Sequence, residues 1–225
     1  VSLYASYIEG MQQGAIVGAS YANANEVLEP YLSKQYEAGV KVDWGKLSTT
    51  LSAFQIEQAS AIVDPASNTL TDDGEQRNRG IEFNVAGEPW RGLRVLGGYM
   101  LLDAKLTHTA GGTNDGNTAP GTSRHHYTLG VEWDTPFITG LTLTSRVMHA
   151  SRQYVDAANT QSIKPWTTLD LGARYVFERS GGYPITLRAN VRNVFDKSFW
   201  TTYPGAGTLN VSEGRTLLLS ATMNF

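Results

Sequence analysis

The chain contains no cysteine among its 225 residues. This absence excludes a disulfide scaffold, a thiolate metal site and a cysteine nucleophile, and it is compatible with an oxidising compartment such as a periplasm. Basic residues are not in excess either, since the formal net charge is −3 and the isoelectric point is near 5.8. Domains that bind nucleic-acid phosphates carry a clustered basic surplus. The composition therefore argues against a nucleic-acid-binding protein.

Long apolar runs are also missing, because no stretch of about 18 consecutive apolar residues occurs, and this excludes a transmembrane helix. Hydrophobic residues make up 41% of the chain and its mean hydropathy is −0.26. A membrane-spanning β-strand alternates apolar with polar residues and is compatible with such values. The first residues, VSLYASYI (1–8), already read as a strand without a signal peptide. We therefore expect a mature part of a longer exported protein.

The final segment, GRTLLLSATMNF (214–225), shows a clear two-residue periodicity. Apolar side chains hold one parity, at Leu217, Leu219, Ala221, Met223 and Phe225. Polar side chains hold the other, at Thr216, Ser220, Thr222 and Asn224, with Leu218 as the exception. The alternation predicts a strand with one apolar and one polar face. Its length favours a membrane strand, which spans roughly 9 to 11 residues, about twice the soluble average.

The same alternation recurs along the chain and predicts about ten antiparallel strands. Short turns are expected near residues 45, 89, 137 and 181, and long loops near residues 20, 68, 115, 158 and 204. Outer-membrane barrels place short turns on the periplasmic rim and long loops on the extracellular rim. Residues 1–225 are therefore interpreted as one all-β, antiparallel transmembrane β-barrel region. An aromatic girdle is expected at the short-turn rim, from Trp44, Trp133, Phe177 and Phe225.

The polar parity of these strands carries six acidic and six basic side chains. They are Glu37, Lys41, Asp43, Glu82, Arg94, Glu132, Asp134, Arg146, Asp170, Arg174, Arg188 and Arg192. Charges inside a barrel are tolerated where they face water or a charged partner. Two interpretations therefore stand. The face lines a water-filled pore, or it is the docking wall of a separate plug domain, formed by all of these residues except Asp43 and Asp134.

Five segments carry a family resemblance. They are KQYEAGVK (34–41), GEQRNRGIEFNVAGEP (74–89), NTQSIKPWTTLDLGARY (159–175), NVRNVFDKSFW (190–200) and the closing GRTLLLSATMNF (214–225). These segments resemble the C-terminal barrel of TonB-dependent siderophore receptors, most of all the ferrichrome and hydroxamate-type group. The resemblance covers essentially the whole chain.

The resemblance implies a barrel of about 22 strands, of which the ten here form the C-terminal part, around an N-terminal plug domain absent from this sequence. It implies a receptor in the outer membrane of a Gram-negative bacterium, which takes up ferric siderophore complexes with energy from the TonB complex. Outer-membrane lipid and lipopolysaccharide are implied as further partners. The siderophore brings its own oxygen ligands to iron, so no catalytic residue, metal site or intrinsic cofactor is expected.

Aromatic and basic residues of the long loops are the candidates for the ligand-binding mouth of such a receptor. They are Tyr21, Tyr31, Arg124, Arg152, Tyr154, Trp200 and Tyr203. The two arginines would pair with an anionic group of the ligand. For each aromatic residue, ordinary packing in a loop or at the membrane interface is the alternative and the more common explanation.

Two other functions stay open. One is a passive outer-membrane pore. The other is a protease like the ten-stranded omptins, which needs acidic and histidine side chains grouped at the outer rim to activate water. The residues available for that role are Asp103, His108, His125 and Asp156. The acidic runs at 72–75 (DDGE) and 114–117 (NDGN) lack the spacing of a calcium loop and are predicted to be turns.

Overall fold

The computed structural model describes residues 1–64, 66–177, 183–202 and 208–223. Within these ranges the chain forms one antiparallel sheet of ten strands and two short ribbons. The strands are β1 (Ser2–Gln12), β2 (Tyr31–Asp43), β3 (Leu47–Asp64), β4 (Thr69–Trp90), β5 (Leu93–His108), β6 (His125–Asp134), β7 (Leu141–Ala150), β8 (Gln153–Tyr154), β9 (Ser162–Ile163), β10 (Trp166–Phe177), β11 (Ile185–Arg192), β12 (Trp200–Thr201), β13 (Asn210–Val211) and β14 (Thr216–Met223). The predicted all-β architecture of ten antiparallel strands is confirmed.

The sheet follows chain order, β1-β2-β3-β4-β5-β6-β7-β10-β11-β14, while β8 pairs with β9 and β12 pairs with β13. Each sheet strand therefore neighbours the strand before and after it, as in an up-and-down barrel wall. The one helical element of the described residues is a 3-10 turn at Ala110–Gly112. Among the described residues, no helix has the length and apolar character needed to cross a membrane.

The strand register assigns every residue of the sheet to one of two faces, because direct cross-strand partners share a face. One row of partners is mostly polar: Arg94, Glu132, Thr144, Gly172, Asn190 and Leu218. The neighbouring row points to the opposite side and is mostly apolar: Val95, Val131, Ser145, Leu171, Val191 and Leu217. We call these sides the polar face and the apolar face. All twelve charged residues of the predicted polar parity lie on the polar face.

The apolar face carries no second layer of protein within the described ranges. Leu3 is 82% exposed, Leu219 is 73% exposed and Leu187 is 40% exposed. In a β-sandwich such side chains would be buried against a second sheet. A continuous apolar band without a protein cover instead suits contact with lipid.

With the exception of the short β3–β4 connection, the connections are sorted by length between the two ends of the sheet. At one rim, β2 turns into β3 through Gly45, with φ of 85°, and β4 turns into β5 through Gly92, with φ of 79°. The predicted turn near residue 181 lies outside the described residues. At the other rim the long connections are 13–30, 109–124, 151–165 and 193–215. Trp44, Trp133 and Phe177 lie near the short-turn rim on the apolar parity, whereas Phe225 lies outside the described residues.

The predicted long loop near residue 68 is wrong. β3 and β4 leave only residues 65–68 between them, so the acidic segment 72–75 belongs to β4 and is not a turn. A β-bulge interrupts the register beside Ser60. Gly74 fits at this point because a Cβ there would lie 2.3 Å from the Ser60 carbonyl oxygen. The turn-like composition of this segment therefore reflects an irregular strand in which the two backbones approach closely.

Several strands also extend beyond their predicted ends at the long-loop rim. In the sequence, the alternation that predicts β2 begins at Tyr36 and the segment that predicts β3 ends near Glu57, yet β2 begins at Tyr31 and β3 continues to Asp64. The apolar parity changes character in this region. One of its cross-strand rows consists of Lys34, Glu57, Arg77 and Lys105. The strands continue above the apolar band, where the apolar parity carries charged residues, so the alternation that reveals a strand in the sequence is lost.

Candidate ligand-binding site

Two connections at the long-loop rim are packed against each other. We call residues 109–124 and 151–165 the central loops. The Thr118 amide donates to Asn159 Oδ1 at 2.8 Å, and Asn159 Nδ2 donates back to the Thr118 carbonyl at 2.8 Å. A small buried cluster supports them, formed by Ala104, Leu106 and Ala119. These loops are therefore part of the folded wall.

The connection 193–215 carries the β12–β13 ribbon. Phe199, immediately before β12, stacks on Trp166, the first residue of β10, with ring centroids 4.5 Å apart and planes 17° apart. Trp166 pairs in register with Ala150 and belongs to the polar face. The stacked pair therefore joins the ribbon to the upper edge of the polar face.

A cavity of about 630 Å³ lies between the ribbon and the polar face of β6, β7 and β10. We call it the mouth cavity. Its lining combines the Trp166–Phe199 pair with amide and hydroxyl side chains, among them Gln153, Thr201, Thr202 and Asn210. Small-molecule sites have this size, about 300 to 1,000 Å³, and this mixture of aromatic surface and a few polar groups.

The charged groups that line the mouth cavity balance each other. They are Arg146, Arg192, Asp170 and Glu213. Arg146 Nη2 lies 2.7 Å from Asp170 Oδ2, and the Asp170 side chain is only 14% exposed. Thr168 also lines the cavity, and its buried hydroxyl has no hydrogen-bond partner among the described residues. The cavity is therefore suited to a ligand of low net charge that offers polar atoms and apolar surface.

A second cavity, of about 540 Å³, lies on the polar face closer to the short-turn rim. We call it the lower cavity. It shares three lining residues with the mouth cavity, namely Arg146, Asp170 and Arg192. On its other side, Arg94 pairs with Glu132 at 3.2 Å and with Asp134 at 2.7 Å. Charged side chains thus continue from the mouth down the wall of the sheet.

The predicted mouth residues that the structure describes do not line the mouth cavity. Tyr21 lies in the connection 13–30, where the next residue, Ala22, donates its amide to the Asn68 carbonyl at the tip of the β3–β4 hairpin. Tyr31 is the first residue of β2 and not a loop residue. Tyr21 and Tyr31 are thus separated from the mouth cavity by several strands. Tyr203 lies outside the described residues.

The other candidates surround the cavity without facing it. Arg124 lines a separate groove between β3, β4 and β5. Arg152 is exposed between β7 and β8. Tyr154 is held in the central loops, where its carbonyl accepts from an amide at 2.8 Å. Trp200 follows the cavity residue Phe199 directly but is 52% exposed. The mouth assignment of these residues stays a prediction.

Two aromatic cavity residues, Trp166 and Phe199, were not among the sequence candidates. Trp166 shares its parity with Thr168 and Asp170, so an aromatic side chain at an inward position next to a long loop is the signal that identifies it. Phe199 carries no such signal, because its place depends on how the connection 193–215 folds.

Seven of the ten residues predicted to face a plug domain lie in two separate regions of the polar face, and the other three, Arg94, Glu132 and Arg146, lie between these regions on β5, β6 and β7. The β2–β4 region carries Glu37, Lys41 and Glu82, together with Asp43. The β10–β11 region carries Asp170, Arg174, Arg188 and Arg192. Arg188 and Arg192 make no ion pair within the described ranges, and Arg174 reaches Glu132 only at 3.7 Å. One side of the face is thus acidic and the other is basic.

The residues considered for a protease site each make contacts of their own, in different parts of the rim. His125 Nδ1 lies 2.8 Å from the Tyr99 hydroxyl. Asp103 is paired in register with a residue of β4, and His108 ends β5. In the described part of the chain, no three histidine or acidic side chains are grouped as a metal site.

Asp156, the fourth of these residues, belongs to the central loops. Its carboxylate accepts hydrogen bonds from the backbone amides of Gln161 and Thr160. These bonds hold the pKa of the carboxyl below its ordinary value. The side chain therefore serves the structure of its own loop.

Residues 1–194 match a family model described as TonB dependent receptor-like, beta-barrel. The chain is 41% identical to the ferrichrome receptor FcuA of Yersinia enterocolitica, over 100% of this chain and 30% of that protein. It is 29% identical to the metal-pseudopaline receptor CntO of Pseudomonas aeruginosa, over 90% of this chain and 29% of that protein.

Among solved structures, the crystal structure of BauA, the ferric preacinetobactin receptor of Acinetobacter baumannii, superposes with a TM-score of 0.84 at 41% identity. The match covers 97% of this chain and 33% of BauA. The chain thus spans about a third of the length of the proteins it matches. With its ten-stranded antiparallel wall, its sorted connections and these matches, the chain belongs to the TonB-dependent receptor β-barrel family.

Proposed function

We propose that this chain forms the C-terminal barrel wall and part of the mouth of a receptor that takes up ferric siderophore complexes across the outer membrane, with energy supplied through TonB. The observation that carries the proposal is the mouth cavity on the polar face at the long-loop rim of a barrel of this family. Named receptors for ferrichrome and for ferric preacinetobactin, each 41% identical to the chain, support the ligand class.

The chemistry of the mouth cavity fits recognition without a change of bonds. A ferric siderophore supplies the oxygen ligands of its own iron, so the receptor needs contacts for the organic shell. The stacked rings of Trp166 and Phe199 offer apolar surface, and Gln153, Thr201 and Asn210 offer hydrogen bonds. Because the charged lining groups balance, a neutral ferric hydroxamate fits the cavity better than a highly anionic complex. On this proposal the protein is a receptor and not an enzyme.

The polar face is proposed to dock the plug domain of the full-length protein. Glu37 and Glu82 on one side, and Arg188 and Arg192 on the other, offer opposite charges to a partner. A plug with a basic patch opposite β2–β4 and an acidic patch opposite β10–β11 would fit in one orientation, because the reverse orientation brings like charges together. The apolar face would contact outer-membrane lipid and lipopolysaccharide.

The test is ligand binding and uptake by the full-length parent receptor. Purified receptor should bind a ferric hydroxamate such as ferrichrome with micromolar affinity or better. Cells that carry the receptor should accumulate labelled iron from this complex when TonB is present and lose this uptake when TonB is deleted. If the receptor shows no saturable binding and receptor-loaded liposomes swell in simple sugars, the protein is instead a passive pore.

A further inference from the structure

The connection 193–215 is closed at its base by the side chain of Asn193. Asn193 Nδ2 donates to the Lys197 carbonyl at 2.9 Å and to the Glu213 carbonyl at 3.1 Å, and its Oδ1 accepts from the Lys197 amide at 3.0 Å. The residue is 5% exposed and has φ of 50°. Asparagine tolerates this left-handed conformation better than most residues. One side chain therefore ties together the outgoing and the returning legs of the connection.

The carboxylate of Asp196 completes the closure. Asp196 Oδ1 accepts from the Arg215 amide at 2.7 Å, and the Val194 amide donates to the Leu169 carbonyl at 2.8 Å. The first bond joins the two legs again, and the second joins the connection to β10. The segment 193–197 (NVFDK) is thus a fixed turn between β11 and the ribbon.

Asp170 links this turn to the polar face of the sheet. Its Oδ1 accepts from the Asn193 amide at 2.9 Å, while its Oδ2 accepts from Arg146 Nη2 at 2.7 Å and from Arg146 Nε at 3.1 Å. Both carboxylate oxygens are therefore occupied by groups of the same wall. Asp170 is better placed to hold the turn than to meet a docking partner.

We infer that Asp170 and Asn193 are positioning residues, which fix the β12–β13 ribbon against β10 and thereby set the width of the mouth cavity. The ribbon supplies one wall of that cavity, through Phe199, Thr201 and Thr202, and the sheet supplies the other through Trp166 and Thr168. The ribbon meets the sheet at the Phe199–Trp166 stack and at the turn held by Asn193. Without the turn, the ribbon would lose one of these two attachments.

That Asp170 and Asn193 influence ligand binding rests on the proposed function. That they fix the position of the ribbon does not. The primary test therefore measures a distance in the unliganded full-length receptor. This chain contributes no cysteine of its own, and any cysteine in the rest of the receptor is replaced by serine. Spin labels attached through Leu209→Cys and Ala158→Cys, both at exposed positions, then report the distance from the ribbon to the central loops. Double electron–electron resonance at cryogenic temperature gives the distribution of that distance.

Asn193→Ala and Asp170→Ala should broaden this distribution. Asp170→Asn should restore much of its sharpness, because the amide oxygen still accepts from the Asn193 amide. Asn25→Ala is the matched control, since Asn25 is also left-handed, with φ of 67°, but makes no side-chain hydrogen bond among the described residues. Distributions for Asn193→Ala and Asp170→Ala that match the wild type would overturn the inference.

Ligand binding is measured on the same proteins. Asn193→Ala should weaken binding of ferrichrome about tenfold or more, as expected from the loss of the three side-chain hydrogen bonds that hold the turn. Asn25→Ala should leave it unchanged. If the distance broadens but the wild type binds no ferric siderophore, the proposed function fails and the positioning role stands. If the wild type binds and the distance is unchanged in both variants, the positioning role fails alone.

Discussion

The β3–β4 hairpin and the connection 193–215 both rise from the long-loop rim, but they are built differently. The hairpin is a continuous ladder of backbone pairs, with 18 residues in β3 and 22 in β4. At the other end of the sheet β11 and β14 have 8 residues each, and the chain between them is held by side chains that bind the backbone. Stability is therefore distributed over many residues in the hairpin and concentrated in a few in the connection.

Removing the carboxylate that anchors the connection should have the largest effect. Asp170→Ala leaves the Asn193 amide without its acceptor and Arg146 without its partner, so we expect a loss of about 2 to 4 kcal/mol in the free energy of unfolding. Calorimetry of the purified full-length receptor measures this loss. Asp170→Asn, which keeps an acceptor, should lose less. Equal transition temperatures for Asp170→Ala and wild type would contradict the concentration of stability at this point.

Removing the aromatic ring of Trp166 should lower the affinity for the ligand more than it lowers the stability of the fold. Trp166→Ala should weaken ferrichrome binding by roughly tenfold to a hundredfold, because buried aromatic contacts contribute about 1 to 3 kcal/mol to recognition. The double variant Tyr154→Ala and Trp200→Ala is the comparison, since neither residue lines the mouth cavity. Titration with ferrichrome, followed by intrinsic fluorescence, measures the affinity of each variant. A stronger effect of the double variant would favour the mouth predicted from the sequence.

The hairpin should be sensitive at the glycine of its bulge. Gly74→Ala brings a Cβ to within 2.3 Å of the Ser60 carbonyl oxygen, so the two backbones must move apart. We expect a cost of about 1 to 3 kcal/mol that stays local to the hairpin. Hydrogen exchange should rise in residues 58–76 while ferrichrome affinity is unchanged. Gly10→Ala in β1 is the control, because no atom lies within 4 Å of the added Cβ.

The central loops combine backbone pairing with side-chain hydrogen bonds, and the bonds made by Asp156 should weaken in acid. The folded-state pKa of Asp156 is held below its ordinary value of 3.8 by the Gln161 and Thr160 amides. Because this pKa is lowered by folding, the ionised Asp156 carboxylate stabilises the folded loop. The stabilisation is present above pH 3.8 and is lost as the pH falls through the folded-state pKa. Protection of the amides of Thr160 and Gln161 against hydrogen exchange should decrease in that window. Asp156→Asn should show weaker protection that no longer changes with pH there.

Much of the wall was predictable because alternation is a local property. The segment 185–192 alternates cleanly, and β11 has those bounds in the structure. The exception at Leu218 also follows the register, which places it in the polar row with Asn190. Prediction failed where the apolar parity of the strands becomes charged, as at the top of β2 to β5, and where the run 72–75 resembled a turn but formed part of a bulged strand.

The candidate site was much less predictable, because it depends on contacts between distant segments. Tyr21, Tyr31 and Tyr154 were chosen as aromatic residues of long loops, yet composition does not say on which side of a loop a ring lies. Phe199 faces the cavity and Trp200 does not, although the two are adjacent. Adjacent residues of an extended ribbon point to opposite sides. Which side faces the sheet depends on how the connection is held, here by Asn193, whose partners Lys197 and Glu213 are 4 and 20 residues away.

The amino-acid order alone determined which side of each strand is apolar, that the strands are antiparallel neighbours, and that, except at the β3–β4 hairpin, long and short connections occupy opposite rims. Each of these follows from residues close in the chain, since a strand repeats every two residues and a short turn forces its flanking strands to pair. Tertiary structure alone decided where the cavities lie, that Asp170 holds the turn at Asn193, and that the polar face has an acidic and a basic side. These depend on register and on hydrogen bonds between segments far apart in sequence, where a shift of one residue would exchange the two faces.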